Sequence, residues 1–210
     1  INKTIIANGD DENNDYFLSF WSDKKIIYTK QDNKFEDKIE KFKYNIIEAD
    51  ANSTSFTANN TAIRLRLLGE FNAANAMAAV CVGLAQGIQI NVIKKGLEAI
   101  GGVAGRLEKI DEGQDFTVIV DYAFEPGAVA KLYGAIKLIP HNKIIHVLGS
   151  AGGGRDVARR PKLGRLAGEL ADYVIVTNED PYDDDPEIII KDVAFGAEQC
   201  EDWVCLKPSP

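Results

Sequence analysis

Histidine and cysteine are scarce in this chain. Two histidines, His141 and His146, are too few for a histidine-based metal site, and they read as a loop residue and a strand residue. Three cysteines, Cys81, Cys200 and Cys205, are odd in number and lie in apolar or near-terminal surroundings. They read as reduced thiols rather than a disulfide framework. Positive charge is also in deficit. Lys and Arg number 24 against 32 Asp and Glu, a net charge of −8, which excludes a general nucleic-acid binder because phosphate neutralisation needs a basic face. No apolar run approaches the roughly 20 residues of a membrane span. Ile1-Asn2-Lys3 does not open a signal peptide, so a cytoplasmic chain without membrane insertion is expected. Two nucleotide fingerprints are missing as well. There is no G-x-x-x-x-G-K-[ST] phosphate loop, and Ala151 stands where the second glycine of G-x-G-x-x-G should be.

What remains is a chain of 210 residues, 45% hydrophobic, long enough for one large domain or two small ones. Its organising stretch is Phe116 to Pro126. Phe116 to Asp121 reads as a strand buried on both faces, tipped by the Asp121 carboxylate, and Pro126 opens a helix over 125–138. In open α/β sheets ligands bind at the carboxyl ends of strands, which makes Asp121 a candidate for a hydroxyl-bearing ligand.

In chain order, Thr4 to Ala7 is a strand ending in Asn8-Gly9-Asp10-Asp11, a turn that places negative charge before a helix over 13–21. Lys25 to Thr29 is the next strand. Lys30 to Lys43 is charged and weakly patterned, a surface loop or short helix. Ile46-Ile47, Ser53 to Thr57 and Ile63 to Leu67 read as antiparallel strands with Asn59-Asn60 as the last turn. Helices are expected over 72–86, closed by Gly87, and over 92–100. In the first of these Asn72 and Asn75 stand one turn apart, where an amide can cap the helix or meet a ligand's ring nitrogens. Gly101-Gly102-Val103-Ala104-Gly105 is the best domain boundary, a hinge. Beyond it, strands at 106–110, 116–122, 143–148 and 173–177 alternate with helices at 125–138, 161–171 and 187–198, which implies a parallel, doubly wound sheet. The amide-rich loop from Gly149 carries Arg155, Arg159 and Arg160, apt for a carboxylate or phosphate, or else a solvated basic turn. Trp203 to Leu206 could start a further strand, and both ends of the chain look cut from a longer protein.

Several stretches together resemble the Mur ligases, the ATP-dependent amide-forming ligases of peptidoglycan synthesis. Gly69-Glu70-Phe71-Asn72-Ala73-Ala74-Asn75 resembles the family's G-x-F-N-x-x-N, Gly105-Arg106-Leu107-Glu108 its GRxE, and Asp121-Tyr122-Ala123-Phe124-Glu125-Pro126 its DYAHTP. Gly152 to Pro161 resembles GGDRDKGKRP, and Thr177 to Pro186 resembles TSDNPRSEDP. The likeness is closest to the branch that adds the third stem-peptide residue.

The resemblance implies an α/β protein in which residues 1–104 are the later portion of a central ATPase domain and 105–210 an incomplete Rossmann-like C-terminal ligase domain. It implies ATP as nucleotide and Mg2+ bound by residues outside this stretch, with the phosphate loop upstream, so that the stretch alone is inactive. The partners implied are a UDP-N-acetylmuramoyl dipeptide and a free amino acid. By position, Asn8, Asn72 and Asn75 would lie near adenine, and Arg106 and Asp121 would hold the nucleotide from the other side. Arg155 would clamp the carboxylate of the incoming amino acid, and Glu179, Asp180 and Tyr182 occupy the family's selectivity loop. Phe124 replaces a family histidine and Val157 a lysine. Tyr182 replaces the arginine that pairs with diaminopimelate's distal carboxylate, amid Glu179, Asp180, Asp183, Asp184, Asp185 and Glu187. That pattern implies a substrate with a cationic end, such as lysine or ornithine, unless the run is only a solvated turn capping the next helix. A folylpolyglutamate- or cyanophycin-synthetase-like ligase and a non-catalytic nucleotide-binding module are the other readings.

Overall fold

The computed structural model describes residues 3–32, 35, 36 and 38–200. Cys205 and the Trp203 to Leu206 run lie outside them. By contacts the chain divides into two compact units, Ile1–Asp121 and Tyr122–Pro210.

The first unit is built on one mixed five-stranded sheet. Its strands are β1 (Thr4–Asn8), β2 (Lys24–Thr29), β3 (Glu40–Ala49), β4 (Thr54–Ala58) and β5 (Thr61–Leu65), adjacent in that order. The first three run parallel, with Ile6 beside Ile26, and β3 to β5 form an antiparallel meander. The short helix α1 (Asn14–Ser19) makes the β1–β2 crossover. The stretch expected as loop or short helix over 30–43 becomes strand from Glu40, because Lys41 to Lys43 add a parallel ladder to β2. Charged residues can alternate along a sheet without the apolar pattern that marks a strand in sequence. Asn59 and Asn60 both adopt positive φ, 43° and 70°, which the tight β4–β5 turn requires and Asn tolerates.

One face of the sheet carries Ile26, Tyr28, Phe56, Ile63 and Leu65 and packs against Ala73, Ala76, Met77, Val80 and Cys81 of α2 (Phe71–Ala85). The small alanines bring helix and sheet close, as the composition anticipates. Cys81 is buried, and desolvation pushes its thiol up to about 12. Helix α3 (Ile90–Ala99) closes on α2, where a Cβ at Gly83 would meet Ile93 at 2.6 Å. Ala7, Ile27 and Leu18 fill the opposite face under α1.

The stretch Phe116 to Asp121 differs from expectation. Only Val118–Val120 (β7) forms strand, and it pairs antiparallel with β6 (Glu108–Ile110) rather than opening a parallel series. Phe116 is 65% exposed and Val120 46%. Apolar β-branched sequence secures a strand but does not say which neighbour covers it.

The second unit holds α4 (Pro126–Ile136), β8 (Ile145–Leu148), α5 (Arg159–Leu170), β9 (Tyr173–Val176) and α6 (Pro186–Ala197). β8 and β9 are parallel, Ile145 beside Tyr173, with α5 as their crossover. Pro126 stands in the first turn of α4, as expected, α6 begins at Pro186, one residue before its expected start, and the Asp185 carboxylate caps α6 by accepting the Glu187 N–H. Ala167, Val174, Val176 and Val193 form one core cluster, and Val129, Tyr133 and Leu163 another. Helices α5 and α6 touch through glycine. A Cβ at Gly164 would lie 1.8 Å from the Val193 carbonyl oxygen, and one at Gly196 would lie 1.9 Å from that of Pro161.

Gly164→Ala or Gly196→Ala is expected to destabilise this unit by at least about 2 kcal/mol, because a backbone carbonyl cannot swing aside as a side chain can. Urea unfolding followed by near-ultraviolet circular dichroism measures it. Stability should also depend on pH through His146. Burial lowers its pKa from 6.5 to about 4, and its Nδ1 lies 2.7 Å from the Tyr133 hydroxyl. Above pH 6.5 the imidazole is neutral whether the chain is folded or not. As pH falls toward 4 the unfolded chain takes up the proton and the folded chain does not, so stability drops across that window by up to about 3 kcal/mol. Denaturant midpoints at pH 7 and 4.5 should differ in wild type and converge in His146→Phe.

Candidate functional site

Candidate residues follow parallel strands in both units, Asn8 after β1 in the first and the loops after β8 and β9 in the second, while the first unit's other candidates stand on α2 and at the β6–β7 turn. In the first unit β1 ends at Asn8, whose Oδ1 accepts the Asp10 N–H at 3.1 Å. Asp10, read in sequence only as part of an acidic turn, is a hub. It accepts the Thr29 hydroxyl at 2.5 Å, the Lys30 N–H at 3.1 Å and the Tyr44 hydroxyl at 3.1 Å. It thereby ties the ends of β1 and β2 to β3, and burial together with Asp10 raises the Tyr44 phenol. Nothing in the local sequence marks Asp10 apart from its neighbours, because Thr29 and Tyr44 are distant in the chain. A pocket of about 520 Å³ lies alongside, lined by Asn8, Asp11, Asn14, Phe17 and β1.

On α2, Asn72 does not cap the helix. Its Nδ2 donates to the Leu68 carbonyl at 2.7 Å and its Oδ1 accepts from Asn75 Nδ2 at 3.2 Å. The pair is thus brought together, with Asn75 exposed. At the GRxE-like turn, Gly105 and Leu107 take positive φ, 66° and 47°. Their N–H groups are held by Glu108 Oε2 and Asp121 Oδ2, both at 2.7 Å. Asp121 is half-buried and gives one oxygen to this turn. Arg106 is exposed between them. Among the described residues no hydrogen bond joins Asn8 to Asn72 or to Asp121.

In the second unit the glycine-rich loop after β8 lies against the loop after β9. The Gly152 N–H donates to the Asp180 carbonyl at 3.1 Å. A Cβ at Gly152 would sit 2.1 Å from the Pro181 oxygen, and one at Gly153 2.7 Å from the Tyr182 ring. Glycine is needed here by close approach, not for a dinucleotide. Arg155, Glu179, Asp180 and Tyr182 therefore stand on two touching loops, all exposed. The three arginines read together in sequence separate. Arg155 is exposed, whereas Arg159 and Arg160 are buried on α5. Arg159 Nη1 pairs with Glu125 Oε1 at 2.9 Å, and its guanidinium lies 5.2 Å from the Phe124 ring centroid. Arg160 pairs with Asp192 at 3.0 Å and Asp184 at 3.3 Å. Of the acidic run, Asp184 and Asp185 do structural work, while the carboxylates of Glu179, Asp180 and Asp183 are solvent-facing.

Residues 105–206 match the family model described as Mur ligase, glutamate ligase domain, and residues 1–83 match the Mur ligase middle domain. The UDP-N-acetylmuramyl-tripeptide synthetase of Roseiflexus sp. (strain RS-1) is 48% identical over 135 residues, 64% of this chain and 26% of that protein. The UDP-N-acetylmuramoyl-L-alanyl-D-glutamate–2,6-diaminopimelate ligase of Syntrophomonas wolfei is 35% identical over 159 residues, 74% of this chain and 32% of that protein. The matched stretch spans about a quarter to a third of the length of these relatives. A crystal structure of MurF from Acinetobacter baumannii shares the fold with a TM-score of 0.68 at 21% identity, covering 99% of this chain and 43% of that one. With both domain models matched in order along an α/β chain, this chain belongs to the Mur ligase family, carrying middle-domain and C-terminal-domain sequence.

Proposed function

We propose that the full-length protein is an ATP-dependent ligase that adds the third stem-peptide residue to UDP-N-acetylmuramoyl-L-Ala-D-Glu, in the cytoplasm. The family boundary between its two parts would fall near residue 104. What carries this reading is the pairing of loops in the second unit: the loop after β8, which carries an exposed Arg155, touches through Gly152 and Gly153 the loop after β9, which carries Glu179, Asp180 and Tyr182. A guanidinium and a group of carboxylates on adjoining loops suit a free amino acid, whose own carboxylate and cationic end need opposite partners. Names of relatives that make UDP-muramoyl tripeptides agree with it.

In the reaction ATP would phosphorylate the D-glutamate carboxylate, the amine of the incoming residue would attack the acyl phosphate, and phosphate would leave as the amide forms. Arg155 would hold the carboxylate of the incoming amino acid and so place its amine. Asp121, with an oxygen beyond the one given to Leu107, would accept from ribose hydroxyls, and Arg106 would attract phosphate. Asn75, tethered to Asn72 through Nδ2, keeps its Oδ1 for an exocyclic amine. Asn8 would stand by at the end of β1. Mg2+ belongs to the family's reaction too. Among the described residues no three His, Cys, Asp or Glu side chains gather where a metal could be held.

For the amino acid, the reading favours lysine or ornithine over meso-diaminopimelate. Tyr182 offers no guanidinium to a second carboxylate, and the carboxylates of Glu179, Asp180 and Asp183 would repel one. An assay of the full-length protein should show kcat/KM for lysine or ornithine at least tenfold above that for diaminopimelate, and the reverse order would sink the preference. Arg155→Ala should raise the amino-acid KM at least tenfold and leave the KM for ATP within twofold, measured by phosphate release. Failure to form any UDP-muramoyl tripeptide with wild-type protein would overturn the function itself.

A further inference from the structure

We infer that Arg160 is a positioning residue for the amino-acid site: by holding Asp184 next to Gly152 it fixes the loop that carries Glu179, Asp180 and Tyr182. This rests on the reading of that loop as the amino-acid site. Arg160 stands in the first turn of α5, 4% exposed, and its guanidinium spans two elements. Nη1 reaches Asp192 on α6 at 3.0 Å and Nη2 reaches Asp184 in the loop at 3.3 Å.

From Asp184 the connection runs through short, rigid links. The Asp184 N–H donates to the Pro181 carbonyl at 3.0 Å, and the Gly152 N–H to the Asp180 carbonyl at 3.1 Å. The space a Gly152 Cβ would need is taken by the Pro181 oxygen at 2.1 Å and by Asp184 Oδ2 at 2.8 Å. Asp180 and Tyr182 sit at φ 28° and 52°, conformations that side-chain-bearing residues keep only where the surroundings impose them. Arg160 is the buried end of that restraint.

Stability alone does not explain the arginine. Its Nε is buried without an acceptor, and a buried, incompletely paired charge is commonly no more stable than an apolar side chain of similar volume. What the planar fork adds is direction, since two nitrogens fixed in one plane hold two carboxylates at once. Lysine retains the charge but has a single ammonium, so it separates charge from geometry.

The test uses the full-length protein and the variants Arg160→Lys and Asp184→Asn. Steady-state kinetics give kcat and the KM for the amino acid and for ATP. Hydrogen exchange read by NMR or mass spectrometry gives the protection of the Gly152 and Asp184 amides. Both variants are expected to raise the amino-acid KM at least tenfold with the KM for ATP within twofold. The two amides should exchange at least tenfold faster while those of β8 and β9 stay unchanged. Parallel rises in both KM values, unaltered kinetics, or unaltered exchange at Gly152 each overturn the inference. If Arg160→Lys fails to fold, Asp184→Asn carries the test, because that side chain is 44% exposed and its loss leaves the core intact. A wild-type protein that ligates no amino acid would sink the ligase reading instead. The exchange rates need no activity and would still decide the clamp.

Discussion

The carbonyl-on-glycine contact of α5 with α6 is the constraint from which the second unit's site descends. With Gly164 under the Val193 oxygen and Gly196 under the Pro161 oxygen, the helices approach as closely as backbones allow. That closeness sets Arg160 at the start of α5 within reach of Asp192 on α6 and of Asp184 just before it. Two loops that follow neighbouring parallel strands are thereby drawn into contact, and glycines at 152 and 153 let them touch. Arg155, Glu179, Asp180 and Asp183 are left facing solvent, while Arg160, Asp184 and Asp192 pair with one another.

The first unit reaches a comparable result by a different route. A single carboxylate, Asp10, ties the ends of β1 and β2 to the middle of β3, and Asn8 is held in the same turn. The Asn72–Asn75 pair lies on a helix whose alanines let it press against the sheet. Asp121 and Glu108 each clamp an N–H in a turn that needs positive φ twice. Polar groups shape the loops in both units, half-buried carboxylates and an amide in the first and buried arginines in the second, and exposed groups on those loops remain for ligands, the division expected of sites built on rigid scaffolds.

Burial also separates residues that look alike in a string of letters. Arg155, Arg159 and Arg160 form one basic cluster in sequence, yet two of them are interior and paired. Asp183, Asp184 and Asp185 are consecutive, yet one is solvent-facing, one binds arginine and one caps a helix. The pairing partners lie 24 to 34 positions away, at Asp184, Asp192 and Glu125, so the local pattern could not sort them.

Much was determined by the sequence alone, because local steric and periodic rules are strong. Strands at 4–8, 24–29, 54–58 and 61–65, the Asn59-Asn60 turn, the alanine-rich helix and the proline-opened helices all follow from β-branching, glycine, proline and spacing. The order of the family-like motifs came from the same reading. Tertiary structure decided what those rules leave free. Glu40 to Lys43 became strand because β2 offered it an edge, and of Phe116 to Asp121 only Val118–Val120 became strand, paired antiparallel with β6. Asn72 turned to the Leu68 carbonyl rather than capping its helix. Which acid meets which base, and which strand covers which, depends on contacts between residues far apart in the chain, and only packing brings those together.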